Sequence, residues 1–364
     1  MKSALYFSIL FISFSLPGCS SVRTGRSDLS AKDLHVYGRT IIDEKGELEL
    51  VTSAAHFGFS FEGQQAEVYV SVPNRSGHNY IQYELDGVYQ KKLRIDGNLT
   101  QPIIINAGKS GKHQVWIYKA TEAHTGPVLI RQVAANEVKA IRKPELPVIE
   151  FIGNSITCGA AADPSEFPCG TGEYHDQHNA YYAYGPRVAR ILNTEFVLSS
   201  ISGYGIYRTW NRERPSLPLV YEKVDFQESN PQLWDFKTFT PKIVTIALGT
   251  NDISEGDHQV KRDPFDTSRF INAYVSFVQT VKSKYPNAQL VLLNSPMVSG
   301  SRGQVLENSL RSIKQKVDLL YPASSPVELF YWKPMQARGC GGHPSVEDHA
   351  IMADQLALFL KRFL

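Results

Sequence analysis

Two residues stand where their types could carry acyl-transfer chemistry. Ser155 lies in Phe151-Ile152-Gly153-Asn154-Ser155-Ile156-Thr157-Cys158-Gly159, directly after an apolar run, and His343 lies in Gly339-Cys340-Gly341-Gly342-His343-Pro344, directly ahead of the last helical stretch. A serine on a Gly-flanked turn from strand to helix presents its hydroxyl at the strand tip, with a helix N-terminus behind it to favour developing negative charge. The same position also suits an ordinary N-cap serine. The hydroxyl has a high pKa and needs a base. An imidazole titrating near neutral pH takes that proton and returns it to a leaving oxygen. Of the ten histidines, only His343 occupies a Gly-rich loop between an expected strand and an expected helix; His349 falls inside the helix and reads as structural. Two further blocks offer oxyanion donors. In Ser199-Ser200-Ile201-Ser202-Gly203-Tyr204-Gly205 the missing Cβ of Gly203 lets its N–H approach a substrate oxygen. In Ala247-Leu248-Gly249-Thr250-Asn251-Asp252, Asn251 can aim its amide at an oxyanion while Asp252 holds the loop. The Gly-x-Ser-x-Gly elbow of α/β-hydrolases is absent.

These blocks need a scaffold, and the second half of the chain supplies one. Apolar strand-like runs at 148–152, 196–201, 243–248, 290–293 and 327–331 alternate with helix-like stretches at 183–192, 269–284, 304–320 and 346–363. Continuous apolar strands separated by helices imply a parallel sheet covered on both faces, with ligands at the carboxyl ends of its strands. Each candidate block follows one such run or precedes the last helix. Residues 34–140 read differently. Ala66 to Val72 alternates strictly, the run through Ile81, Tyr83 and Leu85 ends at the hairpin signal Asp86-Gly87, and the runs 102–106, 114–119 and 128–133 are bounded by Gly, Asn or Pro. This is the pattern of an all-β sandwich. Residues 141–147, with two prolines and mixed charges, read as a linker to a second domain over 148–364.

A length of 364 residues fits two domains, and 42% hydrophobic with 20% charged residues excludes disordered and fibrous classes. Net charge is +2, which gives no basic field for a phosphate backbone, so no nucleic-acid partner is expected. The only long apolar stretch is at the start. Lys2, the run from Ala4 to Leu16 and Leu16-Pro17-Gly18-Cys19 read as an export signal over 1–18, too short to span a bilayer. Cys19 resembles the lipidated cysteine of a bacterial lipobox, with ordinary cleavage and release as the alternative; residues 19–33 would be a polar tether. The address is therefore the cell envelope, the periplasm or the medium. Export permits one disulfide among Cys158, Cys169 and Cys340, with Cys158–Cys340 and Cys158–Cys169 both open. No CxxC occurs, and His175 and His178 lack a second ligand pair, so neither a metal site nor a cofactor is expected.

The four blocks, in this order, resemble the SGNH/GDSL hydrolase superfamily, and their wording is similar to carbohydrate esterase family two. That resemblance implies a jelly-roll-like N-terminal sandwich followed by an α/β/α domain with a five-stranded, mostly parallel sheet; Lys119-Ala120-Thr121-Glu122 also matches. It implies removal of acetyl groups from plant polysaccharides such as xylan or mannan through an acetyl-enzyme. Ser155 would be the nucleophile and His343 the base and then acid. The Ser155 N–H, the Gly203 N–H and the Asn251 amide would form the oxyanion hole. Two positions depart from the superfamily pattern. Asn154 replaces an aspartate, and the positions two and three before His343 hold Gly341 and Cys340 rather than aspartate. A Ser-His dyad with a main-chain carbonyl orienting His343 is the favoured reading, with a remote carboxylate such as Asp348 as the alternative. The connection 204–239 carries Tyr207, Trp210, Tyr221, Trp234, Phe236 and Phe239, aromatic faces that either stack on sugars or pack the loop. Trp210 is the first candidate for substrate contact. The rival functions are an SGNH acyl hydrolase of lipids, thioesters or cell-wall acetyls, and a non-catalytic glycan-binding lipoprotein. The sequence leaves the oligomeric state open.

Overall fold

In the computed structural model, residues 25–364 are described; the expected export signal and Cys19 lie outside them. The alternating half forms nine strands: β1 (Arg26–Ser30), β2 (Val36–Tyr37), β3 (Thr40–Ile42), β4 (Leu48–Leu50), β5 (His56–Ser71), β6 (His78–Leu85), β7 (Val88–Asp96), β8 (Ile103–Lys119) and β9 (Val128–Ile141). All pair antiparallel, in the order β3-β4-β9-β5-β8-β6-β7, with β1 on β9 and β2 on β5. Asp86-Gly87 makes the β6–β7 hairpin, with Asp86 at φ 52° and Gly87 at φ 77° as a primed turn requires. Two expectations change. The runs at 102–106 and 114–119 are two halves of the single strand β8, joined through a register shift where Gly63/Gln65 of β5 pair with Gly111/Asn106. The polar stretch between them imitates a turn because its side chains face water, not because the backbone reverses. Residues 26–30, expected inside a tether, form an edge strand. Ladder pairing with β9 needs only their backbone, and Leu29 alone is partly buried.

The inner face of these strands is apolar, with Ala66, Val68, Ile81, Ile105, Val115, Ile117 and Ile130 in one core. The polar face of β6 is also covered. Tyr80 and Gln82 are buried, and Gln82 donates to Asn179 of the second domain at 2.7 Å. Alternation therefore marks two packed faces here, one against the sandwich core and one against the neighbouring domain.

The second domain has β10 (Val148–Gly153), β11 (Glu195–Ser200), β12 (Pro241–Ala247), β13 (Gln289–Leu293) and β14 (Glu328–Phe330), parallel throughout in the order β11-β10-β12-β13-β14. Its helices are α1 (Ser155–Cys158), α2 (Tyr184–Leu192), α3 (Leu217–Val220), α4 (Thr250–Ile253), α5 (Thr267–Lys284), α6 (Gly300–Leu320) and α7 (Val346–Leu360). Successive strand residues face opposite layers. Ile152, Val244, Ile246 and Leu292 join α5 and α6 in one core, while Ile149, Phe151, Leu198 and Val291 join α2 and α7 in the other. The chain leaves β10 toward β11, then crosses to β12 on the other side. That reversal opens a crevice at the carboxyl ends of the central strands, which is where open α/β sheets bind ligands.

Candidate active site

Ser155 is the first residue of α1, immediately beyond β10. Gly153 makes room for the turn, since a Cβ there would collide with the Thr157 side chain. The Asn154 side chain caps α1 by accepting from the Ile156 N–H at 3.2 Å, the job an aspartate does as well. The first N–H groups of a helix have no partner within it, so the Ser155 N–H points outward at the strand tip.

His343 arrives from the other end of the chain and meets Ser155 with Nε2 2.9 Å from Oγ. Its Nδ1 lies 3.1 Å from the Cys340 carbonyl oxygen. A carbonyl only accepts, so Nδ1 carries the proton and Nε2 is free to accept from the serine. Burial lowers the imidazole pKa from its usual value, against the smaller upward pull of the Cys340 carbonyl, which keeps the ring neutral. Asp348, the alternative partner, is engaged elsewhere. It accepts from Arg338 Nε at 2.7 Å and from the Ser345 N–H at 2.9 Å in the capping box of α7. His349 is buried, accepts from the Tyr184 N–H at 3.2 Å and is structural, as expected.

Neither disulfide left open in the sequence forms. Cys169 pairs with Cys340, which ties the histidine loop to the segment before α2. Cys158 faces inward, fully buried with Sγ 3.2 Å from Ser200 Oγ, and burial raises its thiol well above the ordinary range.

Gly203 follows β11 at φ 80°, a left-handed conformation, and a Cβ there would stand 2.9 Å from the Trp210 ring. Trp210 folds back over it with its N–H on the Gly203 carbonyl at 2.8 Å. Asn251 follows β12 and donates to the Tyr204 carbonyl at 2.8 Å. Asp252 holds the intervening loop: its buried carboxylate accepts from the Ile206 N–H at 2.9 Å and the Tyr207 N–H at 3.0 Å, and burial lifts its pKa to about 6. Ser155, Gly203, Asn251, His343 and Trp210 line one cleft of about 740 Å³. Of the six aromatic residues in 204–239 singled out above, only Trp210, 40% exposed, lines it; Tyr221, Trp234 and Phe236 instead pack around the guanidinium of Arg39, which the first domain inserts into the second.

The cleft also contains residues that sequence reasoning missed. Tyr174 lines it from the segment held by the disulfide, and His124 lines it from the first domain. Beneath them Glu122 is fully buried. Its carboxylate accepts from the Ser202 N–H at 2.6 Å, the Ser202 hydroxyl at 2.5 Å and His178 Nε2 at 2.9 Å, and His124 Nδ1 lies 3.2 Å away. Burial alone would raise its pKa, but His124 and His178 hold it well below the usual carboxylate range. Lys119, buried, donates to the carbonyls of Val51 and Glu122 at 3.0 and 2.6 Å. Lys119-Ala120-Thr121-Glu122 was the available signal; its partners lie 56 and 80 residues away.

A crevice at a parallel-sheet switch point, lined by these four blocks, defines the class, and the comparisons with known proteins agree. Residues 36–144 match the model for the carbohydrate esterase 2 N-terminal domain, and residues 151–325 match that for the GDSL-like lipase/acylhydrolase family. The chain is a carboxylic ester hydrolase of the GDSL type. In joining these two domains it is similar to carbohydrate esterase family two. An acetylxylan esterase/glucomannan deacetylase of Cellvibrio japonicus is 25% identical over 373 residues, 99% of each chain. The structure of a family two carbohydrate esterase from that organism has the same fold, with a TM-score of 0.79 at 24% identity over 93% of this chain and 98% of the other. A family two enzyme from Clostridium thermocellum, in complex with cellohexaose, gives 0.78 at 24% identity over 91% and 100%. Among the described residues no helix is long and apolar enough to cross a membrane.

Proposed function

We propose that the protein is an exported carbohydrate O-acetylesterase that removes acetyl groups from plant polysaccharides such as xylan or mannan. The observation that carries this reading is the 2.9 Å contact between Ser155 Oγ and His343 Nε2, with Nδ1 satisfied by a main-chain carbonyl. Ser155 attacks the acetyl carbonyl as His343 takes its proton. The oxyanion that develops is met by the Ser155 and Gly203 N–H groups and the Asn251 amide. His343 then protonates the departing sugar oxygen, leaving acetyl on Ser155, and water activated by the same imidazole releases acetate. Trp210 offers an aromatic face beside the reacting centre for a sugar ring. No cofactor enters the scheme. The division we propose is a leader over 1–18, a tether from 19, a β domain to 140, a linker over 141–147 and the hydrolase over 148–364, with Cys19 as the lipid-bearing residue.

Acetate release from acetylated xylan, acetylated glucomannan and an aryl acetate tests the proposal. Ser155→Ala and His343→Ala are each expected to lower it by on the order of 10⁴-fold or more. Undiminished release from either variant overturns the dyad. A preference for long acyl chains over acetyl overturns the substrate class and leaves the dyad standing.

A further inference from the structure

Away from the serine, a second histidine cluster sits on the seam between the domains. His78 comes from β6, and Glu173, His175 and Asp176 come from the segment 173–177. One ligand atom each of His78, His175 and Asp176 lies within 4.8 Å of the others. The two rings are 4.5 Å apart between centroids.

Their hydrogen bonds fix which nitrogens are free. His78 Nε2 donates to Asp176 Oδ1 at 2.6 Å, and His175 Nε2 donates to the His78 carbonyl at 3.2 Å. An ionised carboxylate and a carbonyl only accept, so both protons of the neutral rings sit on Nε2 and both Nδ1 atoms carry a free lone pair. Both Nδ1 atoms face the same exposed carboxylate: Glu173 Oε1 is 4.0 Å from that of His78 and Glu173 Oε2 is 3.7 Å from that of His175. Imidazole ligands of metal ions show this arrangement, with the outer N–H held by a carboxylate or a backbone carbonyl and the other nitrogen turned to the ion. Asp176 is the outer carboxylate. At 2.6 Å from His78 Nε2 it is too close to share an ion with it, because ligands on 2.0–2.1 Å bonds in a tetrahedron stand about 3.3 Å apart. Its oxygens are already taken by the Tyr80 hydroxyl at 2.8 Å and the Glu173 N–H at 2.7 Å.

We propose that His78 Nδ1, His175 Nδ1 and the Glu173 carboxylate bind one divalent transition ion of the zinc class, with water completing the coordination. Two imidazoles and a carboxylate suit that class rather than calcium or magnesium. The ion would join the β domain to the segment that carries Tyr174, a wall of the catalytic cleft, and so fix that wall without touching Ser155.

The full chain, freed of any affinity tag and stripped with a chelator, is titrated with zinc chloride by calorimetry and thermal melting. One zinc per chain is expected, with a melting temperature that climbs with the logarithm of free zinc and no such rise with magnesium. X-ray absorption should show two imidazole nitrogens at about 2.0–2.1 Å. Glu173→Gln, on an exposed side chain, and His175→Asn should each weaken binding at least tenfold, and Asp176→Asn by about 10- to 100-fold. Ser155→Ala should leave it unchanged, which separates this site from the esterase reading. Absence of uptake by the unaltered chain, or uptake that survives both Glu173→Gln and His175→Asn, overturns the site.

Discussion

The strand-tip loops and the seam beneath them position the same cleft by different means. At the tips, Ser155, Gly203 and Asn251 are placed by backbone geometry, through the clearance at Gly153, the left-handed Gly203 and the Asp252 carboxylate on two neighbouring N–H groups. At the seam, position comes from charge. Glu122 reaches from the first domain under the loop that carries Gly203 and accepts the Ser202 N–H one residue before it, and Arg39 donates to the Tyr221 and Lys223 carbonyls at 2.6 and 2.8 Å. A loop held by its own turn resists change at a distance. A loop held by a buried carboxylate depends on a second domain being in place, so the β domain acts as part of the active-site frame.

Glu122→Ala should separate the two regions most strongly. It leaves the buried His178 ring and the half-buried Ser202 N–H without their acceptor, and each buried donor left unpaired costs about 1–3 kcal/mol. Chemical denaturation should show a loss of that size, and acetate release should fall with it because the loop bearing Gly203 loses its anchor. Glu122→Gln keeps the shape and is expected to lie between the two. A stability within 1 kcal/mol of the unaltered protein for Glu122→Ala, by the same denaturation, would remove the seam from the account.

Asn251→Ala probes the tips instead. In the proposed mechanism its amide is one of three oxyanion donors, so kcat should drop about 10²- to 10³-fold while KM moves little. Stability should change far less than in Glu122→Ala, since the Asn251 side chain gives up one hydrogen bond, to the Tyr204 carbonyl, worth about 1 kcal/mol. A variant that loses stability and keeps kcat would reverse the assignment and make Asn251 a loop fastener.

The contrast also explains what the sequence disclosed. Ser155, Gly203, Asn251 and His343 were legible because each sits in a short block beside an apolar strand or a capped helix, where a few consecutive residues determine the backbone. The five parallel strands were legible for the same reason. Glu122, Arg39 and His78 were not, because their partners are 56, 182 and 98 residues away and nothing near them in sequence specifies the meeting. Cys169–Cys340 failed to show for a related reason. Cys158, nearest to Ser155, was the obvious candidate, yet α1 turns it into the interior, and only the packing of two loops reveals the pair that closes. The polar face of β6 misled in the opposite sense: alternation is the same whether the outer face meets water or another domain.

The smallest expected effect decides between the dyad and a carboxylate-assisted histidine. His343 is neutral and competent as a base only above its own pKa, and burial lowers that pKa against the pull of the Cys340 carbonyl. The acid limb of kcat/KM should therefore lie below the ordinary imidazole value of about 6.5, with activity lost as pH falls through the lowered value. A carboxylate on Nδ1 would favour the imidazolium and move the limb the other way. Asp348→Asn is the matching substitution. Because Asp348 serves Arg338 and the α7 capping box, the variant should lose about 1 kcal/mol of stability and leave the acid limb in place. A limb at or above 6.5 that drops in Asp348→Asn would mean that the carboxylate reaches His343 during turnover and that the main-chain carbonyl is only its resting partner.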